Sequence, residues 1–315
     1  LPIYGRGLRG GRRRARARRR ALCRGAKGAR DLATNEAEAL FSAMLHGSVP
    51  ELELGAILLA LRIKSESDDE LIGFCRAMQQ TTHTLQTATN ASVVVLPTYN
   101  GVRRQPNLLP LLALLLRDAG LPVLIHGRHD FDNRENPFPL FNACGIHQAE
   151  SLKEAEAQLA DTGIALLDVA QLNPGLNHLL SLRSRLGVRN SAHTLCKLLD
   201  PCPGQSIRVV NVTHPEYLLR MSSLLATQGG RAMLLRGTEG EPFANPKRRP
   251  ELLGFRNGVA EVLFPAEEGG TPPISGWPET ADFEENVRLI QQLLADPTRI
   301  PQPIFDQVAA LRSLS

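Results

Sequence analysis

The sequence predicts an α/β protein in two parts: a small helical-bundle domain, and a larger α/β domain with a mainly parallel central sheet. Three observations carry this. Val93 to Gly127 runs as an apolar β-branched segment, a turn, a leucine-rich helix and a second apolar segment, in about the length of one βαβ unit. Val93 to Leu96 is uniformly apolar, as a strand covered on both faces is. Residues 31 to 86 carry helical spacing, and a helical pattern returns from Gln171 to Pro201, interrupting the α/β alternation. With 315 residues, 43% of them hydrophobic, the chain is long enough for two such domains.

Taken in order, the first 30 residues hold twelve Arg or Lys and no acid, which predicts a disordered basic arm. A nucleic-acid-binding arm, a transit peptide and GC-rich DNA translated from a wrong start or frame all produce such a run. The other 285 residues carry 24 basic and 32 acidic groups, so the body is acidic and must attract a polyanion through local clusters or the arm. Thr34 is placed to cap a first helix, Pro50 to open a second at Glu51, and Ser67 to cap a third. Residues 31–88 with 173–202 are assigned to the helical domain, and 89–172 with 203–315 to the α/β domain. In the latter, further strands are expected around Ile164, Val209, Ala232 and Val259, with helices from Leu152, Glu216, Ala281 and Ile304. Phe131 to Asn142 reads as a Pro/Asn-rich loop.

The longest apolar stretch, Leu108 to Leu116, ends at Arg117 and Asp118 and is too short to span a membrane. No apolar signal segment is recognised, and the five cysteines form no C-x-x-C pair, so a cytoplasmic protein with reduced thiols is expected. No zinc spacing and no nucleophile–base arrangement is present, and no cofactor is predicted.

The candidate site lies beyond the Val93 to Leu96 strand, because open α/β sheets bind ligands at the carboxyl ends of their strands. Arg103 and Arg104 are expected at the amino end of the following helix, where the dipole also favours phosphate. Arg128, Arg183, Arg185, Arg189 and Lys197 would join them in a basic stripe, with Lys247, Arg248 and Arg249 on a second loop. Such a row binds nucleic acid without reading bases. Paired arginines also suit a plain solvated face. Tyr99 and Phe243 suit either base stacking or core packing, and His214, before Pro215, reads as structural.

Four segments resemble the anthranilate phosphoribosyltransferase superfamily. They are HGSVPELELGAILLALRIKSES, VLPTYNGVRRQPNLLPLLALLLRDAGLPVLIHG, LRSRLGVRNSAHTLCKLLDP and VTHPEYLLRMSSLLATQGGRAMLLRGTEGE. The wording TYNGVRRQPNL, LGVRNSAHTL and GTEGEPFANP is closest to the YbiB-type branch, described as DNA-binding. The resemblance implies that Thr98, Tyr99, Asn100, Gly101, Asn107, His126 and Gly127 outline a vestigial substrate crevice. It also implies that Arg183 and Arg189 face substrate, and that the chain dimerises through its helical domain.

The departures from the family predict loss of its ordinary reaction. Its glycine-rich phosphate turn is replaced by Pro97, Thr98, Tyr99, Asn100 and Gly101, and its lysine before the histidine by Ile125. Pro242 and Phe243 stand where adjacent acids hold magnesium, with Glu241 displaced by one position and Glu239 aligned with an earlier acid. The expected function is sequence-independent binding of nucleic acid, DNA or RNA, by a catalytically degenerate dimer. The alternatives are a transferase with an altered acceptor and a binder of a small phosphorylated metabolite.

Overall fold

The computed structural model describes residues 30–87, 91–128, 134–270 and 272–315; the basic arm lies outside them. The chain divides into two compact units, one formed by the residues up to His83 with Asn173–Leu199, the other by Thr84–Leu172 with Asp200–Ser315.

The first unit opens with helices α1 (Thr34–Leu45), α2 (Glu51–Lys64) and α3 (Asp68–Thr81). Thr34 is not the cap of α1 but its first residue, because its hydroxyl donates to Asp69 at 2.9 Å instead. Ser67 does cap α3: its Oγ accepts from Glu70 N, and the Glu70 carboxylate accepts from Ser67 N. Glu70 is wholly buried, and the ammonium of Lys64 at 2.7 Å and Leu32 N at 3.0 Å stabilise its charge. Phe41 stacks on Phe74 at 4.8 Å, joining α1 to α3.

The second unit begins with β1 (Val93–Thr98), α4 (Leu109–Asp118) and β2 (Val123–Gly127), the predicted βαβ. Next comes α5 (Pro137–Ala143), inside the stretch read as a loop. Its proline at the first helical position and the Asn136 side chain, which accepts from Phe138 N at 3.0 Å, start a helix that composition alone hid. β3 (Gln148–Ala149), α6 (Leu152–Asp161), β4 (Ile164–Asp168) and α7 (Val169–Leu172) follow.

The chain then returns to the first unit in short pieces: α8 (Pro174–Ser181), α9 (Arg183–Leu186), α10 (Ala192–Leu195) and a 3-10 turn at Cys196–Leu198. Pro174 and left-handed Gly187 supply two of the interruptions. Asn173 caps α8 and donates to the hydroxyls of Thr81 and Thr82, tying the return segment to α3.

The second unit closes with β5 (Ser206–Val212), α11 (Glu216–Gln228), β6 (Arg231–Arg236), β7 (Leu252–Arg256), β8 (Val259–Phe264), α12 (Phe283–Ala295) and α13 (Gln302–Ser313). The sheet has eight strands in the order β3-β4-β2-β1-β5-β6-β7-β8, parallel as far as β6 and antiparallel at β7 and β8. The sequence pattern does not announce β3, which has two residues, or β7, whose LLGFR follows a basic, proline-rich loop. The larger core cluster joins apolar residues of the sheet to those of α4, α12 and α13. Among the described residues no helix is long and apolar enough to cross a membrane.

Candidate functional site

The central strand β1 has β2 on one side and β5 on the other, so the chain order reverses between β1 and β5. This is the point at which an open parallel sheet leaves a crevice beyond its carboxyl edge. The turn after β1 aims hydrogen-bond donors into it. Asn100 N and Gly101 N both donate to Oε1 of Glu241 at 2.9 Å, and Thr98 Oγ1 donates to Oε2 at 2.5 Å. Further along, Arg103 N and Arg104 N donate to Glu239 at 3.2 and 3.0 Å. The donors of a phosphate-type cradle are therefore satisfied by the chain's own carboxylates.

Local sequence explains how both loops reach this arrangement. Gly101 adopts φ +63, and a Cβ there would lie 2.5 Å from the carbonyl oxygen of Glu135. On the opposing loop, Glu241 N donates to Thr238 O, and Thr238 N to Phe243 O, forming a tight turn that lifts Glu241 toward β1. The carbonyl oxygen of Gly240 accepts from the side-chain amides of Asn100, at 2.7 Å, and Asn211. Arg134 braces the two loops by donating to Gly101 O at 2.9 Å, with its guanidinium 4.0 Å from the Glu239 carboxylate.

Thr98, Tyr99, Asn100, Gly101, Asn107, His126 and Gly127 are all buried. The Tyr99 hydroxyl meets His126 Nδ1 at 2.8 Å, and burial holds the imidazole pKa down to about 3. Asn107 ties the start of α4 to α12: its backbone N donates to Asn286 Oδ1 at 2.7 Å. Phe243 is wholly buried in the larger core, so base stacking by Tyr99 or Phe243 is ruled out in this arrangement: neither ring offers a face to solvent.

Arg103 and Arg104 are exposed, but they do not stand at a helix terminus. α4 begins only at Leu109, whose N donates to Asn107 Oδ1 at 3.0 Å, while the main-chain N–H groups of Arg103 and Arg104 donate to Glu239. Arg128 follows β2 and is half-buried, with its N donating to Thr98 O. Arg249 is a structural residue, which corrects its assignment to phosphate. Its guanidinium pairs with Asp306 and lies 3.5 Å from Glu267 and 5.3 Å from the Phe264 ring centre. Arg248 Nε donates to Glu267 O at 2.9 Å, and Lys247 is half-buried.

The remaining cations belong to the helical unit. Arg185 is paired with Glu51 at 3.1 Å. Arg183, Arg189 and Lys197 are half-buried around His193, whose pKa falls to about 3 through burial first and then their positive charges.

Magnesium does not fit the loop that follows β6. Pro242 and Phe243 offer no side-chain oxygen, and the carboxylates of Glu239 and Glu241 already face N–H and O–H donors, whose positive ends repel a cation. Among the described residues no group of three or more His, Cys, Asp or Glu side chains is disposed to hold a metal. The sequence pattern presents Glu241 only as an acid displaced by one position and Glu239 as aligned with an earlier acid, and it does not single out Arg134 or Asn211. The available signal was Gly237 and Gly240 bracketing an acid after a buried strand.

Comparison with known proteins places this geometry in context. Residues 20–82 match the helical bundle domain of a glycosyl transferase family. The chain is 40% identical over 291 residues to the uncharacterized protein YbiB of Escherichia coli K12, covering 91% of this chain and 89% of that one. It is 26% identical over 273 residues to anthranilate phosphoribosyltransferase of Rhodopirellula baltica, covering 85% and 79%. In fold it is similar to the crystal structure of anthranilate phosphoribosyltransferase from Thermus thermophilus, with TM-score 0.71, 23% identity, and 93% and 88% of the chains covered. The Saccharomyces cerevisiae enzyme in complex with PRPP and Mg is also similar in fold, with TM-score 0.70, 14% identity, and 95% and 88% covered.

Proposed function

The chain belongs to the glycosyl transferase family 3 group that includes YbiB and the anthranilate phosphoribosyltransferases, and we propose that it keeps the fold of the phosphoribosyltransferases without their reaction and binds nucleic acid in the cytoplasm, independently of sequence. One observation carries the reading. The main-chain donors after β1 are occupied by Glu239 and Glu241, while the guanidinium groups of Arg103 and Arg104 on the same turn face solvent. A small phosphorylated substrate needs the main-chain donors; a polyanion needs only the side chains. Arg128, at the same edge of the sheet, supplies further positive charge.

A second copy of the chain fits the exposed face of α2. Leu52 and Ile63 are 85% and 79% exposed, and with Ala56 and Leu59 they form one apolar stripe at helical spacing. An antiparallel copy centred between Ile57 and Leu58 sets Leu52 opposite Ile63 and Ala56 opposite Leu59. It also sets Glu53 opposite Arg62, so the apolar positions and this charged pair are both self-complementary. Such a dimer doubles the basic surface.

Fluorescence anisotropy of labelled random-sequence DNA tests the reading. The full chain, a chain starting at Asp31, and Arg103→Ala/Arg104→Ala in each are titrated from about 50 to 200 mM salt. Affinity is expected to survive removal of the arm, and the double alanine variant should reduce the salt slope by about 2. An unchanged slope in that variant removes Arg103 and Arg104 from the interface. Stabilisation by phosphoribosyl pyrophosphate that requires magnesium would favour the transferase reading instead.

A further inference from the structure

We propose that Glu241 is a tethered ligand: the turn from Thr98 to Gly101 is a complete binding site for a small oxyanion, and the chain has closed it with its own carboxylate. This goes beyond the nucleic-acid reading and does not depend on it.

The geometry is that of a ligand site, not of a surface pair. Two consecutive main-chain N–H groups converge on one carboxylate oxygen, and a hydroxyl donates to the other. Thr98 and Glu241 are fully buried and Asn100 is 2% exposed, so water does not compete for these donors. A buried carboxylate is stable only where hydrogen bonds replace its hydration. The same donors would be left unsatisfied if it were removed.

The site lies at the switch point between β1 and β5, where the sheet topology leaves room for a ligand. It is filled from a loop specialised for close approach. At Gly237 a Cβ would lie 2.2 Å from Glu241 O, and at Gly240 it would lie 1.8 Å from Asn100 Nδ2. Formate, acetate and inorganic phosphate all present the paired oxygens that Glu241 now supplies. In the unaltered chain the site is closed to each of them, and the turn is held in one shape without a ligand. Because Arg103 and Arg104 continue from the same turn, Glu241 also acts as a positioning residue for them.

The test uses the full chain with Glu241→Ala, melted in chloride, formate and phosphate at equal ionic strength. In chloride the variant is expected to melt about 5 °C or more below the unaltered chain. Formate or phosphate should then raise its Tm in proportion to the logarithm of anion concentration, beyond any shift of the unaltered chain in the same salts. Equal responses of the two proteins overturn the proposal. Should the alanine variant fail to fold, Glu241→Gln keeps the shape and an acceptor but removes the charge. A lowered Tm for it supports the tethered anion, and a Tm equal to that of the unaltered chain overturns it.

Discussion

The hydroxyl of Tyr99 meets Nδ1 of His126 at 2.8 Å, while Nε2 of the same wholly buried ring has no hydrogen-bond partner among the described residues. The imidazole is therefore neutral, with its pKa lowered by burial to about 3. His193 is lowered to about 3 as well. Between that value and the unfolded pKa near 6.5, the unfolded chain takes up protons that the folded chain does not. Stability is thus fully present above pH 6.5 and falls as the pH drops toward 3, by about 1.4 kcal/mol per pH unit for each histidine. Urea midpoints between pH 5 and 6.5 check this, and His126→Gln should reduce the slope by about one histidine's share.

Arg249 separates a structural cation from a binding one. Asp306 is 7% exposed and pairs with this guanidinium, so Arg249→Ala leaves a buried charge uncompensated and should cost about 3 kcal/mol. Affinity for DNA should stay unchanged. Chemical denaturation and anisotropy on the same sample read the two effects. A loss of affinity without loss of stability would restore Arg249 to the interface.

Gly240 tests how closely the two loops must approach. It adopts φ +92, and a Cβ would lie 1.8 Å from the Asn100 side-chain amide. Gly240→Ala should destabilise the chain by about 3 kcal/mol, combining backbone strain with a clash that displaces the Glu241 loop. The Thr98, Asn100 and Gly101 resonances should move most in an NMR comparison. Shifts confined to residue 240 would show that the loops adjust independently.

The α2 pairing predicts a dimer sensitive to its apolar stripe. Ile63→Glu sets a carboxylate opposite Leu52 of the partner copy, and should turn a dimer into a monomer in sedimentation at micromolar concentration. Ile63 is 79% exposed in the single chain, so the change should leave the unfolding free energy of the monomer within about 0.5 kcal/mol. A dimer that survives both Ile63→Glu and Leu52→Glu does not use this face.

Local signals made much of the fold legible. Ser67 three residues before Glu70 specified the start of α3, and Pro50 the start of α2, because caps are satisfied within a few residues of chain. The apolar run from Val93 specified a buried strand for the same reason: hydrophobicity on both faces needs no partner to be read. Short elements escaped. α5 depends on one proline and one asparagine, and β7 shows its pairing only once β6 and β8 lie on either side.

The sequence by itself determined the two-part α/β architecture, the central strand and the departure from a glycine-rich phosphate turn, since each is written in contiguous residues. Only the tertiary structure decided what replaces the phosphate. Glu241 lies 140 positions from Gly101 in the chain, and no local pattern reports that its carboxylate receives the Asn100 and Gly101 amides. The same holds for Arg249 and Asp306, 57 positions apart. A charged side chain reads alike in sequence whether it faces water or a buried partner. Its role is set by the desolvation and pairing that folding imposes, which made Arg249 structural and left Arg103 and Arg104 exposed.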